Sequence, residues 1–162
     1  MRVLYIEWGY TYDCAIIRAF ESVGIEIERL AVLKEELIRS AERIRDVMQN
    51  HNADIVFSIN FWKNLSEICQ QSGTPYCSWV LELPDYDLYR EEVHNSCNYI
   101  AICDSYLVQK LRAQGVEKVF FLPDAVEKTE RRDNVPVYRE ACAVDIYPEQ
   151  VMQTEGMSRY SV

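Results

Sequence analysis

Six short apolar runs, at 2–8, 25–30, 54–59, 76–81, 99–103 and 119–122, recur along the chain with helical segments between them. The first, built on Val3, Leu4, Tyr5 and Ile6, is nearly continuous, the pattern of a strand buried on both faces. Between the runs the period changes to that of a helix. Ala15, Ile16, Ala19, Phe20 and Val23 share one face, and Gly24 follows as a C-terminal cap. Leu33, Leu37, Ala41, Ile44, Val47 and Met48 form a second stripe, opposite Glu35, Arg39, Glu42, Arg43 and Asp46. A third helix, through Leu65, Ile68 and Cys69, stops at Gly73, and 86–93 reads as one or two helical turns. Asp104 and Ser105 suit the N-cap of a fourth, through Leu107, Leu111 and Ala113, closed by Gly115. Strand alternating with helix predicts an α/β fold, a doubly wound, mostly parallel, Rossmann-like sheet of six strands with right-handed crossovers. With strand order 3-2-1-4-5-6, the winding reverses between strands one and four. Ligands of such sheets bind at that reversal, here between loops that begin at Trp8 and Glu82.

Residues 1–126 make up this domain, and the polar stretch EKTERRDNVPVYRE opens a segment, 127–162, that reads as an irregular tail or truncated junction. Hydrophobic residues at 49% and charged ones at 27% are a globular composition. A net charge of −9 argues against a nucleic-acid surface, because phosphate binding needs clustered Lys and Arg. No apolar run approaches the roughly 18 residues of a membrane span, and Glu7 interrupts the N-terminus too early for a signal peptide. The six cysteines contain no CxxC pair, so free thiols in a reducing cytoplasm are expected rather than disulfides or zinc.

The chemistry-bearing residues gather at predicted strand ends. After strand one the chain reads Glu7-Trp8-Gly9-Tyr10-Thr11-Tyr12-Asp13, a single glycine among bulky aromatics. Phosphate cradles need several glycines to admit backbone amides, so no cofactor phosphate is expected here. Trp8 and Tyr10 either cover the sheet edge or offer a face to a sugar or flat organic group. Glu82, Asp85 and Asp87 form the densest acidic cluster, suited to accepting hydroxyl hydrogen bonds or to general-base work, or simply to a solvated turn. Asp104 is either a helix cap or a ligand contact, His51 an exposed helix end, and His94 a loop residue. A phosphoacceptor receiver domain shares the topology, but Asn60 and Asp104 stand where its phosphorylated Asp and its Lys belong.

The ordered set Asp54-Ile55-Val56-Phe57-Ser58-Ile59-Asn60, Gly73-Thr74-Pro75-Tyr76 with Trp79, Glu82 and Pro84, Cys103-Asp104, Gly115-Val116 and Leu122-Pro123 with Ala125 resembles the N-terminal domain of CgeB-like (spore-maturation-type) bacterial glycosyltransferases. Glu82 stands where that family commonly has Asp. The resemblance implies the acceptor-side half of a two-domain GT-B enzyme. It also implies a sugar or glycan acceptor held by Trp8, Tyr10, Asn60, Asp85 and Asp104, with Glu82 or Asp13 as general base. No cofactor or metal is expected in this chain. The nucleotide-sugar donor would be held by a C-terminal glycosyltransferase domain or subunit, for which 127–162 is too short. The alternative is a non-catalytic carbohydrate- or protein-binding module using the same edge.

Overall fold

The computed structural model describes residues 1–32 and 40–125. Leu33 to Arg39, which open the second helical stripe, and the tail 127–162 lie outside the described residues. The strands are β1 (Arg2–Glu7), β2 (Glu26–Ala31), β3 (Ile55–Ile59), β4 (Tyr76–Val80), β5 (Asn98–Ile102) and β6 (Val119–Phe121). The helices are α1 (Asp13–Ser22), α2 (Ala41–Asn50), α3 (Lys63–Ser72) and α4 (Ser105–Ala113), with two 3-10 turns, Tyr86–Tyr89 and Glu91–His94, between β4 and β5. Every strand pair is parallel. No helix among the described residues is long and apolar enough to cross a membrane.

The strand order is β2-β1-β3-β4-β5-β6, not the expected 3-2-1-4-5-6. β2 is an edge strand, and its sequence says why. Glu26, Glu28 and Arg29 are exposed, and charged side chains on an edge discourage pairing with another chain, whereas an interior strand would have to bury them. The winding therefore reverses between β1 and β3. The loops that flank the reversal begin at Trp8 and Asn60, and Glu82 stands one strand further on.

Side chains alternate between two unequal layers. Leu4, Ile6, Val56, Tyr76, Val80, Ile100, Ile102 and Val119 point to the face covered by α2, α3 and α4, through Ile44, Met48, Leu65, Ile68, Leu107 and Leu111. Tyr5 and Ile59 point the other way, against Ile16 and Ile17 of α1, with Phe20 and Phe57 packed alongside. α1, on the crossover that runs the opposite way along the sheet, lies on the opposite face from α2, α3 and α4, so these helical crossovers share one hand. Beyond α1 the second face carries an apolar groove of about 480 Å³ lined by Phe57, Trp79, Tyr99, Phe120 and Leu122.

Local chemistry ends the helices where the sequence suggests. Gly73 adopts φ +67 at the C-cap of α3, a left-handed conformation open to glycine at little cost. Asp104 caps α4 by accepting from the backbone N–H groups of Tyr106 and Leu107. The five described cysteines are unpaired. Burial pushes the Cys69 thiol far above its ordinary range, and those of Cys77, Cys97 and Cys103 upward too.

Candidate functional site at the winding reversal

β1 delivers the chain into a turn at Gly9, whose φ of +88 lets the loop double back before α1. This places a ladder of rings along the edge. Trp8 and Tyr10 have centroids 5.6 Å apart, Tyr10 and Tyr12 5.4 Å, and Trp8 and Trp62 6.1 Å. The ladder runs from exposed Tyr12 to Trp62, which is only 2% exposed. Trp62 belongs to the β3 loop, so the Trp8–Trp62 contact joins the two loops at the reversal. Such offset and edge-on ring pairs are favourable beyond the area they bury.

Asn60 follows the last residue of β3 and is one of two non-glycine residues with positive φ among those described. Asparagine tolerates this left-handed conformation better than most residues. Its side chain then bridges to the exit of β4. Oδ1 accepts from the N–H groups of Leu81 at 3.0 Å and Glu82 at 3.1 Å, while Nδ2 donates to Glu82 Oε2 at 2.9 Å. Asn60 is buried, and its three part-buried hydrogen bonds fix one geometry. Glu82 is thereby oriented through one carboxylate oxygen. Its other oxygen, Oε1, has no partner among the described residues.

The neighbouring acids are engaged differently. Asp85 is buried; its Oδ2 accepts from the N–H of Phe61 and its Oδ1 from that of Asp87. Asp87 accepts from the N–H of Lys63 at the start of α3. Together they satisfy amide donors that the chain leaves unpaired where β3 passes into α3. Asp104, two strands from the reversal, holds the first turn of α4. His94 is exposed at the end of a 3-10 turn, and His51 pairs with Glu28 at the opposite edge of the sheet.

Asp13 opens α1 and is 3% exposed. Its Oδ1 accepts a hydrogen bond from the Tyr5 hydroxyl. Burial, helped by this bond, pushes the Tyr5 phenol far above its ordinary range, so Tyr5 remains a donor at any physiological pH. Beside it, Glu7 and Arg29 form a forked ion pair at 2.7 Å across β1 and β2. Of the sequence-derived candidates, Trp8, Tyr10 and Asn60 lie on the loops that flank the reversal, Asp13 opens α1 behind the first, and Asn60 bonds Glu82 across to β4. Asp85 lies beneath the surface of this group and Asp104 stands apart from it.

Two further residues belong to the site. Trp62 follows Asn60 by two positions, and an aromatic pair, Phe61-Trp62, directly after a strand end was the signal in the sequence. Tyr5 sits mid-strand and only its fold partner Asp13 reveals it. Four buried side-chain polar atoms among the described residues have no hydrogen-bond partner: Trp8 Nε1, Asp13 Oδ2, Trp62 Nε1 and Ser78 Oγ. Trp8 and Trp62 lie on the two loops at the reversal, and Asp13 opens the helix that follows the first loop.

No family model and no curated protein matches the chain. Among solved structures it is similar to a Clostridium thermocellum family 3 carbohydrate esterase, with a TM-score of 0.40 and 14% identity over 76% of this chain and 77% of that one.

Proposed function

We propose that the domain is the acceptor-side half of a bacterial, cytoplasmic glycosyl-transfer system, binding a sugar or glycan acceptor at the carboxyl edge of its sheet. The observation that carries this reading is the Asn60–Glu82 bracket at the exits of β3 and β4, on the same carboxyl edge as the Trp8–Tyr10 rings. A carboxylate held by one oxygen keeps the other for a ligand hydroxyl, and adjacent aromatic faces suit the C–H face of a pyranose. The motif resemblance through Asn60 and Pro84 supports the same reading. In it Glu82 accepts from the acceptor hydroxyl and is placed to take its proton as attack begins, the role of a general base. Asp13 is the second candidate for that role, its Oδ1 being occupied by Tyr5.

The nucleotide-sugar donor, in this reading, is oriented by a separate C-terminal glycosyltransferase domain or subunit. Alignment of donor and acceptor contributes much of the rate in such bimolecular reactions, so the chain alone should not turn over a sugar nucleotide appreciably. The test is a titration of methyl glycosides against the chain by saturation-transfer NMR. Binding that disappears in Glu82→Ala and Trp8→Ala supports the reading. Equal binding in all three proteins, or transferase activity from the chain alone, overturns it.

A further inference from the structure

The two faces of the sheet are covered unequally. On one, α2, α3 and α4 lie over the strands; on the other, among the described residues, only α1 does. α1 sits over Tyr5 of β1 and over Phe57 and Ile59 of β3, with the rings of Phe20 and Phe57 5.2 Å apart. Over the same face of β4, β5 and β6 the groove of about 480 Å³ lies open. Cys77, Trp79, Tyr99, Ala101 and Phe120 form its floor, and Phe20 and Val23 one wall. Tyr99 is 38% exposed, Phe120 46% and Val23 71%, and no lining residue is charged. Parallel sheets occur almost only with both faces covered, and an apolar patch left open marks an interaction surface.

We infer that this face is the docking groove for a single amphipathic helix of a partner polypeptide, apolar toward β4 and β5 and basic on its outer side. The groove lies on a face of the sheet, so its use does not depend on the acceptor site proposed above. Its dimensions select the occupant. Packed helix axes stand about 8–10 Å apart, close to two strand spacings of about 4.8 Å, so a helix beside α1 falls over β4 and β5. Each of these strands has five residues, about 17 Å, the length of roughly eleven helical residues. Cys77 pairs with Tyr99 and Trp79 with Ala101, so small residues alternate with large ones and leave hollows for a helix's side chains. A second copy stacked sheet on sheet is a poorer occupant. A floor of three strands, about 14 Å by 17 Å, falls far short of the roughly 800 Å² per partner of a stable dimer. On a chain of net charge −9, Lys and Arg on the helix's outer side are the complementary charges.

The probe is an acetylated 14-residue peptide with Leu at alternating three- and four-residue spacing and Lys elsewhere. Controls are a peptide of the same composition with the stripe scrambled, and one with Glu in place of Lys. Each is titrated into the intact ¹⁵N-labelled chain, whose three tryptophans give three indole peaks. The striped Lys peptide should shift the Trp79 peak and leave those of Trp8 and Trp62 in place. The scrambled peptide should bind at least tenfold more weakly, and the Glu peptide more weakly than its Lys counterpart. Phe120→Ser and Val23→Ser should each weaken the striped peptide about tenfold, the scale of one lost apolar side chain. Val23 is the more exposed of the two, so its variant keeps the test if Phe120→Ser does not fold. Equal binding of striped and scrambled peptides, or an unmoved Trp79 peak, overturns the inference. Tighter binding of the Glu peptide overturns the assigned charge. A dimer in sedimentation that Val23→Ser abolishes gives the face to a second copy instead. A Cys77 thiol as protected from a thiol reagent as buried Cys69, in the chain without peptide, shows the groove already filled and also overturns it.

Discussion

The carboxyl edge of this sheet has two halves that look alike in sequence and differ in bonding. Around β4 and β5, Asp85, Asp87 and Asp104 each bind backbone N–H groups that begin a helix or turn. Around β1 and β3, Asn60 binds Glu82 through one oxygen, the rings of Trp8 and Trp62 meet, and Asp13 accepts from the Tyr5 hydroxyl. Acidic density alone does not distinguish scaffold from site, since the denser acids are the structural ones. The partner does distinguish them: Asp85, Asp87 and Asp104 accept from backbone N–H groups, whereas Glu82 and Asp13 accept from the side chains of Asn60 and Tyr5.

Substitutions in the two halves should separate stability from binding. The largest loss of stability is expected for Asp85→Ala, which strips the amides of Phe61 and Asp87 of a buried acceptor; about 3 kcal/mol, read by urea denaturation, is the scale of two such bonds. Tyr5→Phe should cost about 2 kcal/mol, because Asp13 then keeps a buried carboxylate with neither oxygen bonded. An unchanged urea midpoint in Tyr5→Phe would show that the Tyr5–Asp13 pair contributes no net stability. Asp104→Ala removes a helix cap and should cost about 1 kcal/mol, with glycoside binding unaltered. Weakened glycoside binding in Asp104→Ala would extend the site across β5. The smallest stability change belongs to Glu82→Ala, within about 0.5 kcal/mol because the side chain is part-exposed and makes a single bond, yet this variant should lose glycoside binding. A Glu82→Ala protein as unstable as Asp85→Ala would erase the contrast between the halves.

Thiol labelling offers a check on the core. Buried Cys69 should resist a thiol reagent in the native state at mildly alkaline pH, where the exposed Cys14 reacts, since only the thiolate attacks. Modification of both at equal rates would show that the layer beneath α3 opens readily.

Much of the architecture was legible because parallel strands are buried on both faces and write themselves as apolar runs. Each of the six strands lies within a residue or two of its expected place, from the first at Arg2–Glu7 to the last at Val119–Phe121. Lateral order was not legible from periodicity, which records what a strand buries and not which neighbour it pairs with. The charges of Glu26, Glu28 and Arg29 did record that β2 has a neighbour on one side only. At the site, Trp8 and Glu82 could be singled out as polar or aromatic groups at strand ends. The Asn60 bracket could not, because it depends on the β3–β4 register, in which Ile59 stands opposite Trp79 and Asn60 passes beyond the last pair. The same register turns Asp85 inward toward Phe61, an orientation that composition cannot convey.

One practical consequence follows from all six strands running the same way. Met1 is exposed and sits at the starting end of the strands, where its carbonyl accepts from Glu26 N–H. A five- or six-residue strand carries the chain roughly 17–20 Å. An affinity handle or surface tether joined to the amino group therefore stands a full strand's length from Trp8, Asn60 and Glu82. Immobilisation through Met1 points the carboxyl edge of the sheet away from the surface, the orientation in which the proposed acceptor site is best tested.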